Sequence, residues 1–146
     1  VKTHGALGNI CAVDDDLADA VARAVLAVDA GLALMVMPGM ATARAAERAG
    51  LRPINEIYAD RSYAPDFNLT PRNLPGAMIL DAGVALDRII EAVEMGRLTA
   101  TDGSVLSVEI DSICVHGDSA GAVEMAAILR AGLTRRGYAI GSSLNG

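Results

Sequence analysis

Gly31-Leu32-Ala33-Leu34-Met35-Val36-Met37-Pro38-Gly39 is the stretch on which the fold turns. Between two turn signals, Leu32 to Met37 runs without a polar interruption. A strand with one face in water alternates apolar and polar residues. An unbroken run suits a strand covered on both faces, and such strands belong to parallel sheets. Upstream, Asp14, Asp15 and Asp16 precede Leu17, Val21, Ala24, Val25 and Val28. That is a helical stripe whose acidic start suits the positive end of the helix dipole, and Gly31 stops it. Downstream, helical spacing from Ala41 to Ala49 ends at Gly50, and Pro53 to Tyr58 supplies the next strand.

From Ala59 to Gly76 the chain carries Asp60, Pro65, Asp66, Asn68, Pro71, Asn73 and Pro75, too long and polar for an ordinary connection. Long ordered loops usually carry function. Asp81 can cap a helix with the core face Leu86, Ile89, Ile90 and Val93, ending at Gly96. Leu98 to Ile110 alternates apolar and polar residues around Asp102-Gly103, a strong hairpin signal. Ser112 to His116 reads as a buried strand, and Ala122, Met125, Ala126, Leu129 and Leu133 form a last amphipathic helix closed by Gly137. This order predicts an α/β layer on a parallel sheet, assigned as part of a (β/α) barrel over residues 1–141 with a small β-hairpin. Residues 142–146 are expected to be a flexible tail. Val1 opens within an apparent strand and no Met precedes it, so the chain is expected to be a fragment.

Composition narrows the function. The charge of −6 and the scattered arginines offer no basic field for a phosphate backbone, and one Phe and three Tyr make no platform for stacked bases. Nucleic acid is not an expected partner. No apolar run reaches the about 18 to 20 residues a bilayer requires, so neither is a membrane. Cys11 and Cys114 are the only cysteines in a chain 52% hydrophobic, which has no need of a disulfide to fold. With no leader-like segment at the start, a cytoplasmic location is expected.

The single lysine and both histidines stand at strand ends. Lys2 lies two residues before His4, and Cys114 two before His116, so each pair should point to one face. Both histidines precede glycine. A lone histidine at a strand end is more often a hydrogen-bonded structural residue than a catalyst, but the repeated pattern weakens that view. Asp118 or Ser119 would cap the last helix whatever the function. Glu56, Asp60, Arg61, Tyr63 and Arg72 mark the end of the third strand and the long loop that leaves it. They are either solvated ion pairs or a site at the mouth of a barrel. Phosphate-loop, dinucleotide-binding, nucleophile-elbow and zinc motifs are all absent.

Lys2-Thr3-His4-Gly5-Ala6-Leu7-Gly8-Asn9 resembles the Lys-Pro-His-Gly-Ala-Leu-Tyr-Asn motif of the LamB/YcsF family, to which the A subunit of 5-oxoprolinase belongs, at six of eight positions. Glu56 to Tyr63 resembles its Glu-hydrophobic-aromatic-Ala-Asp-Arg-x-Tyr motif, Leu69 to Arg72 follows at a suitable distance, and Cys114-Val115-His116-Gly117-Asp118 matches outright. Thr3 and Gly8 depart from the first motif, where the family has Pro and Tyr. The family's earlier motifs, rich in Asp, Asn, Glu and His, have no counterpart, which is why this chain reads as a C-terminal portion.

The resemblance implies a distorted barrel of the glycoside hydrolase/deacetylase type. It also implies a component of an ATP-dependent lactam hydrolase that opens 5-oxo-L-proline to L-glutamate with partner subunits B and C, the fragment alone being inactive. His4 or His116 would transfer protons, Asp118 and Glu56 would act as orienting or basic carboxylates, Lys2 and Arg61 would stabilise negative charge, and Asp60 is a further catalytic candidate. Arg72, Asn9 and Tyr63 would bind substrate. No metal ligand is assigned within the chain, ATP is the cofactor of the assembled enzyme, and a homo-oligomer is allowed. The competing expectations are a metal-dependent deacetylase-like hydrolase with ligands from outside the chain, and a non-catalytic assembly component.

Overall fold

Within the apolar run, Ala33–Val36 forms the first strand, β1, and its parallel partner β2 is Arg52–Tyr58. The register places Ala33 beside Arg52 and Val36 beside Asn55, and Lys2 adds an isolated parallel bridge to Met35. These are elements of a computed structural model that describes residues 1–142. The chain divides into two compact units, Val1–Ile57 and Tyr58–Gly146.

In Val1–Ile57 the helices are α1 (Gly5–Cys11), α2 (Asp15–Val28) and α3 (Ala41–Arg48). Asp14 caps α2 by accepting the Leu17 N–H at 2.9 Å, and Asp15 and Asp16 occupy its first turn. The core beneath is built from small residues. Ala18, Ala22 and Val25 of α2 cluster with Ala41, Ala43, Ala45 and Ala46 of α3 and with Leu34 and Val36 of β1. Short side chains let the two helices approach closely, and Arg44 and Arg48 of α3 bridge to Asp15 and Asp19 of α2 at the surface. The helix α1 was not anticipated: Gly5 and Gly8 are poor helix formers. It forms on the turn after His4, from Gly5 at φ 56°, and buries Cys11 at its far end.

In Tyr58–Gly146, α4 (Ala82–Met95) is capped by Asp81, which accepts the N–H groups of Gly83 and Val84, and ends at Gly96 in the left-handed conformation at φ 62°. Of its expected core face, Ile89 and Ile90 are buried. The hairpin is shorter than its alternating pattern: β3 (Arg97–Thr99) pairs with β4 (Val105–Ser107), and Asp102 and Gly103 occupy the turn as expected. The last strand and helix are β5 (Ser112–Cys114) and α5 (Ala122–Arg135). Gly132 of α5 packs on Leu86 of α4, where an added Cβ would meet a Leu86 methyl at 2.5 Å.

The long connection is ordered by antiparallel bridges, Arg61 to Met78 and Tyr63 to Leu69. The parallel α/β character stands, but no closed barrel forms among the described residues. Too few strands are present to close one, since a barrel of this kind takes about eight. Of the expected tail, residues 143–146 lie outside the described residues.

Candidate functional site

The motif residues form two constellations, one in each unit. In Val1–Ile57 the parallel register brings the first motif to the end of β2, where the Lys2 ammonium bonds the Glu56 carboxylate. Glu56 is 6% exposed and Lys2 20%, so the pair lies largely out of water. His4 and Asn9 are exposed, His4 as the N-cap of α1 without a side-chain capping bond. Thr3 and Gly8, the two departures from the family motif, touch: a Cβ at position 8 would stand 3.0 Å from the Thr3 carbonyl oxygen. The backbone turn itself therefore leaves little room for a side chain there.

In Tyr58–Gly146 the centre is Asp60 with His116. Asp60 is 2% exposed, and both its carboxylate oxygens lie 2.9 Å from His116 Nδ1. A carboxylate accepting from Nδ1–H fixes the tautomer in which Nε2 is the basic nitrogen. The two residues are brought together at the strand ends, where the Ala59 N–H bonds the Cys114 carbonyl at 2.9 Å. The Tyr58 ring stacks on the imidazole, 5.0 Å between centroids and 6° from parallel. Tyr63 is fully buried, and its hydroxyl accepts the Tyr58 N–H at 2.7 Å.

Arg61 and Arg72, both expected to meet negative charge, occupy different settings. Arg61 is buried, with its guanidinium bonded to the Thr70 carbonyl at 2.6 Å and the Ala77 carbonyl at 3.4 Å, so it pins the long loop. Burial, and next the charge of Arg72, lower its pKa. Arg72 is exposed and bonds Asp118 at 2.8 Å. That bond holds the Asp118 carboxyl below its ordinary value and raises Arg72. Asp118 does not cap the last helix, and neither does Ser119. The N-cap of α5 is Gly121 at φ 83°, with no side-chain bond.

Sequence reasoning missed two side chains of this second constellation. Tyr58 is the aromatic position of the Glu56–Tyr63 motif and the end of a strand, but it is not among the site residues that the sequence singles out. Arg88 lies between Leu86 and Ile89 of the expected core face and is not named by the sequence reading. Its terminal nitrogens are buried without a hydrogen-bond partner, and its guanidinium lies 5.5 Å from the Tyr63 ring centroid. Among the described residues no group of three or more His, Cys, Asp or Glu is placed to hold a metal. No helix among them is long and apolar enough to cross a membrane.

The model of the LamB/YcsF family matches residues 1–145. The chain belongs to that family. The A subunit of 5-oxoprolinase from Kocuria rhizophila is 47% identical over 142 residues, 97% of this chain and 56% of that relative. Its counterpart from Azorhizobium caulinodans is 49% identical over 140 residues, 96% of this chain and 55% of that one. The crystal structure of a lactam utilization protein from Thermus thermophilus superposes with a TM-score of 0.85 at 38% identity, covering 94% of this chain and 54% of its own. The chain thus spans about half the length of the curated relatives it matches.

Proposed function

We propose that this chain is the C-terminal portion of the A subunit of 5-oxoprolinase and that it carries the proton-transfer group for opening 5-oxo-L-proline. The observation that carries this reading is the buried Asp60 carboxylate on Nδ1 of His116, inside two family motifs. Hydrolysis of a lactam requires a proton to leave the attacking water and one to reach the ring nitrogen as the C–N bond breaks. An imidazole oriented through Nδ1 offers Nε2 for the first transfer and returns the proton for the second. Of the two histidines, His116 is the one with such a carboxylate partner. His4, exposed on its turn, is assigned no proton transfer.

Glu56 and Lys2 form a charged pair whose role is to set the local field. Arg72 is the candidate for the substrate carboxylate through a bidentate pair, in competition with Asp118. Tyr63 is fully buried with its hydroxyl on the Tyr58 N–H, so it is assigned no substrate contact, and Asn9 stands exposed in Val1–Ile57.

Helices α1 and α3 begin without a carboxylate, whereas the other helix starts among the described residues are acidic. The helices α2 and α4 begin on carboxylates, Asp14 to Asp16 and Asp81, and the turn before α5 carries Asp118 with Glu124 in its first turn. Carboxylates at helix starts repel phosphate rather than cradle it. ATP chemistry is assigned to the assembled enzyme with subunits B and C, away from those acidic helix starts, the subunits acting together in the cytoplasm. The test is glutamate release from 5-oxoproline and ATP, with each subunit omitted in turn. Turnover is expected only from the complete mixture, and substantial turnover without the two partners would overturn the assignment.

A further inference from the structure

Arg88 occupies an inward position of α4, in step with Ala85, Ile89 and Ala92, all buried. A charged side chain at such a position ordinarily has a carboxylate or carbonyl partner, because a desolvated charge left alone is costly. Both terminal nitrogens of Arg88 are buried and lack a hydrogen-bond partner. What they have is the face of Tyr63, with the guanidinium carbon 5.5 Å from the ring centroid. A guanidinium over an aromatic face is attracted by the ring's quadrupole, more strongly where water is excluded.

The same ring is held from a second direction. Phe67 packs against it at 5.2 Å between centroids, tilted by 60°. Phe67 sits at φ 68°, the sole non-glycine residue in the left-handed region among the described residues. A bulky residue persists in that conformation only where its surroundings over-determine it. Here Asp66 accepts both the backbone and the side-chain amide of Asn68, and the Ala64 N–H bonds the Asn68 carbonyl.

From Tyr63 the connection runs to the catalytic pair. The Tyr63 hydroxyl accepts the Tyr58 N–H and so fixes the backbone from which the Tyr58 ring projects. That ring lies parallel to the His116 imidazole. We propose that Arg88 is a positioning residue for His116, clamping Tyr63 so that Tyr58 holds the imidazole in plane while Asp60 holds its Nδ1. The proposal rests on reading His116 as the proton-transfer group, but its structural part can be measured without substrate.

The experiment uses the full-length chain and the NMR signals of the His116 ring protons, which are displaced by the ring current of the stacked Tyr58. Tyr58→Leu supplies the unstacked reference. Arg88→Met, which keeps the length and removes the charge, is expected to move the His116 signals at least halfway to that reference. It is also expected to lower kcat by about 10- to 100-fold with KM little changed, the scale of a displaced catalytic group. Arg88→Lys, which returns a cation to the ring face, restores the signals. Tyr63→Phe cuts the same connection one step later without touching Arg88, and moves the signals in the same direction even if Arg88→Met does not fold. Unmoved His116 signals in either folded variant would overturn the proposal. An absence of 5-oxoproline turnover in the complete mixture of the unmodified protein with subunits B and C, with the signals moving as described, would instead remove the functional reading and leave the positioning role intact.

Discussion

In Val1–Ile57 most motif side chains stand in the open: His4 and Asn9 are exposed, and Lys2 alone of that motif's charged groups is joined to Glu56. In Tyr58–Gly146 the motif residues are interlocked. Asp60, Arg61 and Tyr63 are buried, and each is bonded to a residue that another bond holds in turn. Such an arrangement is preorganised, since its groups need no further ordering when substrate arrives. The open set gains its geometry only from whatever comes to rest against it. The two regions should therefore respond to substitution in different ways.

The widest gap is expected in turnover. Asp60→Ala removes the group that orients His116 and should reduce turnover of the assembled enzyme by about 10²- to 10⁴-fold, the usual worth of a placed acid–base group. His4→Ala should have a much smaller effect under the same assay. Equal losses from the two would erase the contrast. Second in size is the charged pair of the first region. Glu56→Gln leaves the Lys2 ammonium beside a neutral amide, and breaking a buried pair on one side costs about 3 kcal/mol or more. Urea unfolding measures this, and Lys2→Met with Glu56→Gln should recover much of the loss.

Close packing in the second region gives the third test. Gly132→Val must displace Leu86 across the α4–α5 contact and should destabilise by about 1 to 3 kcal/mol, even though Val suits a helix better than Gly. The smallest effect belongs to the exposed Arg72–Asp118 pair. Arg72→Ala should let the Asp118 carboxyl rise toward its ordinary value near 3.9, read by NMR titration. Because the folded pKa is depressed, the stability this pair adds is present above the ordinary carboxylate pKa and is lost as pH falls through the folded value. The difference between variant and parent should therefore vanish in acid.

Much of the fold was legible because it depends on local pattern. The run at Leu32–Met37 gave the parallel strand, Asp14 and Asp81 gave the helix starts, and Asp102-Gly103 gave the hairpin turn. Helix α1 escaped because Gly5 and Gly8 argue against it and its seven residues are too few to show a period. The site was half legible. The motifs named Asp60 and His116, but their bond joins residues 56 apart, and no local spacing announces that. Arg88 could have been found by placing it on the helix: the same step that puts Ala85, Ile89 and Ala92 inward puts Arg88 there too.

The contact between Gly8 and Thr3 has a consequence for restoring the family motif in this chain. A side chain at position 8 starts 3.0 Å from the carbonyl oxygen of residue 3, so the choice at one position depends on the backbone path at the other. Gly8→Tyr therefore tests the turn as much as the pocket, because its Cβ requires the carbonyl of residue 3 to shift by a few tenths of an ångström.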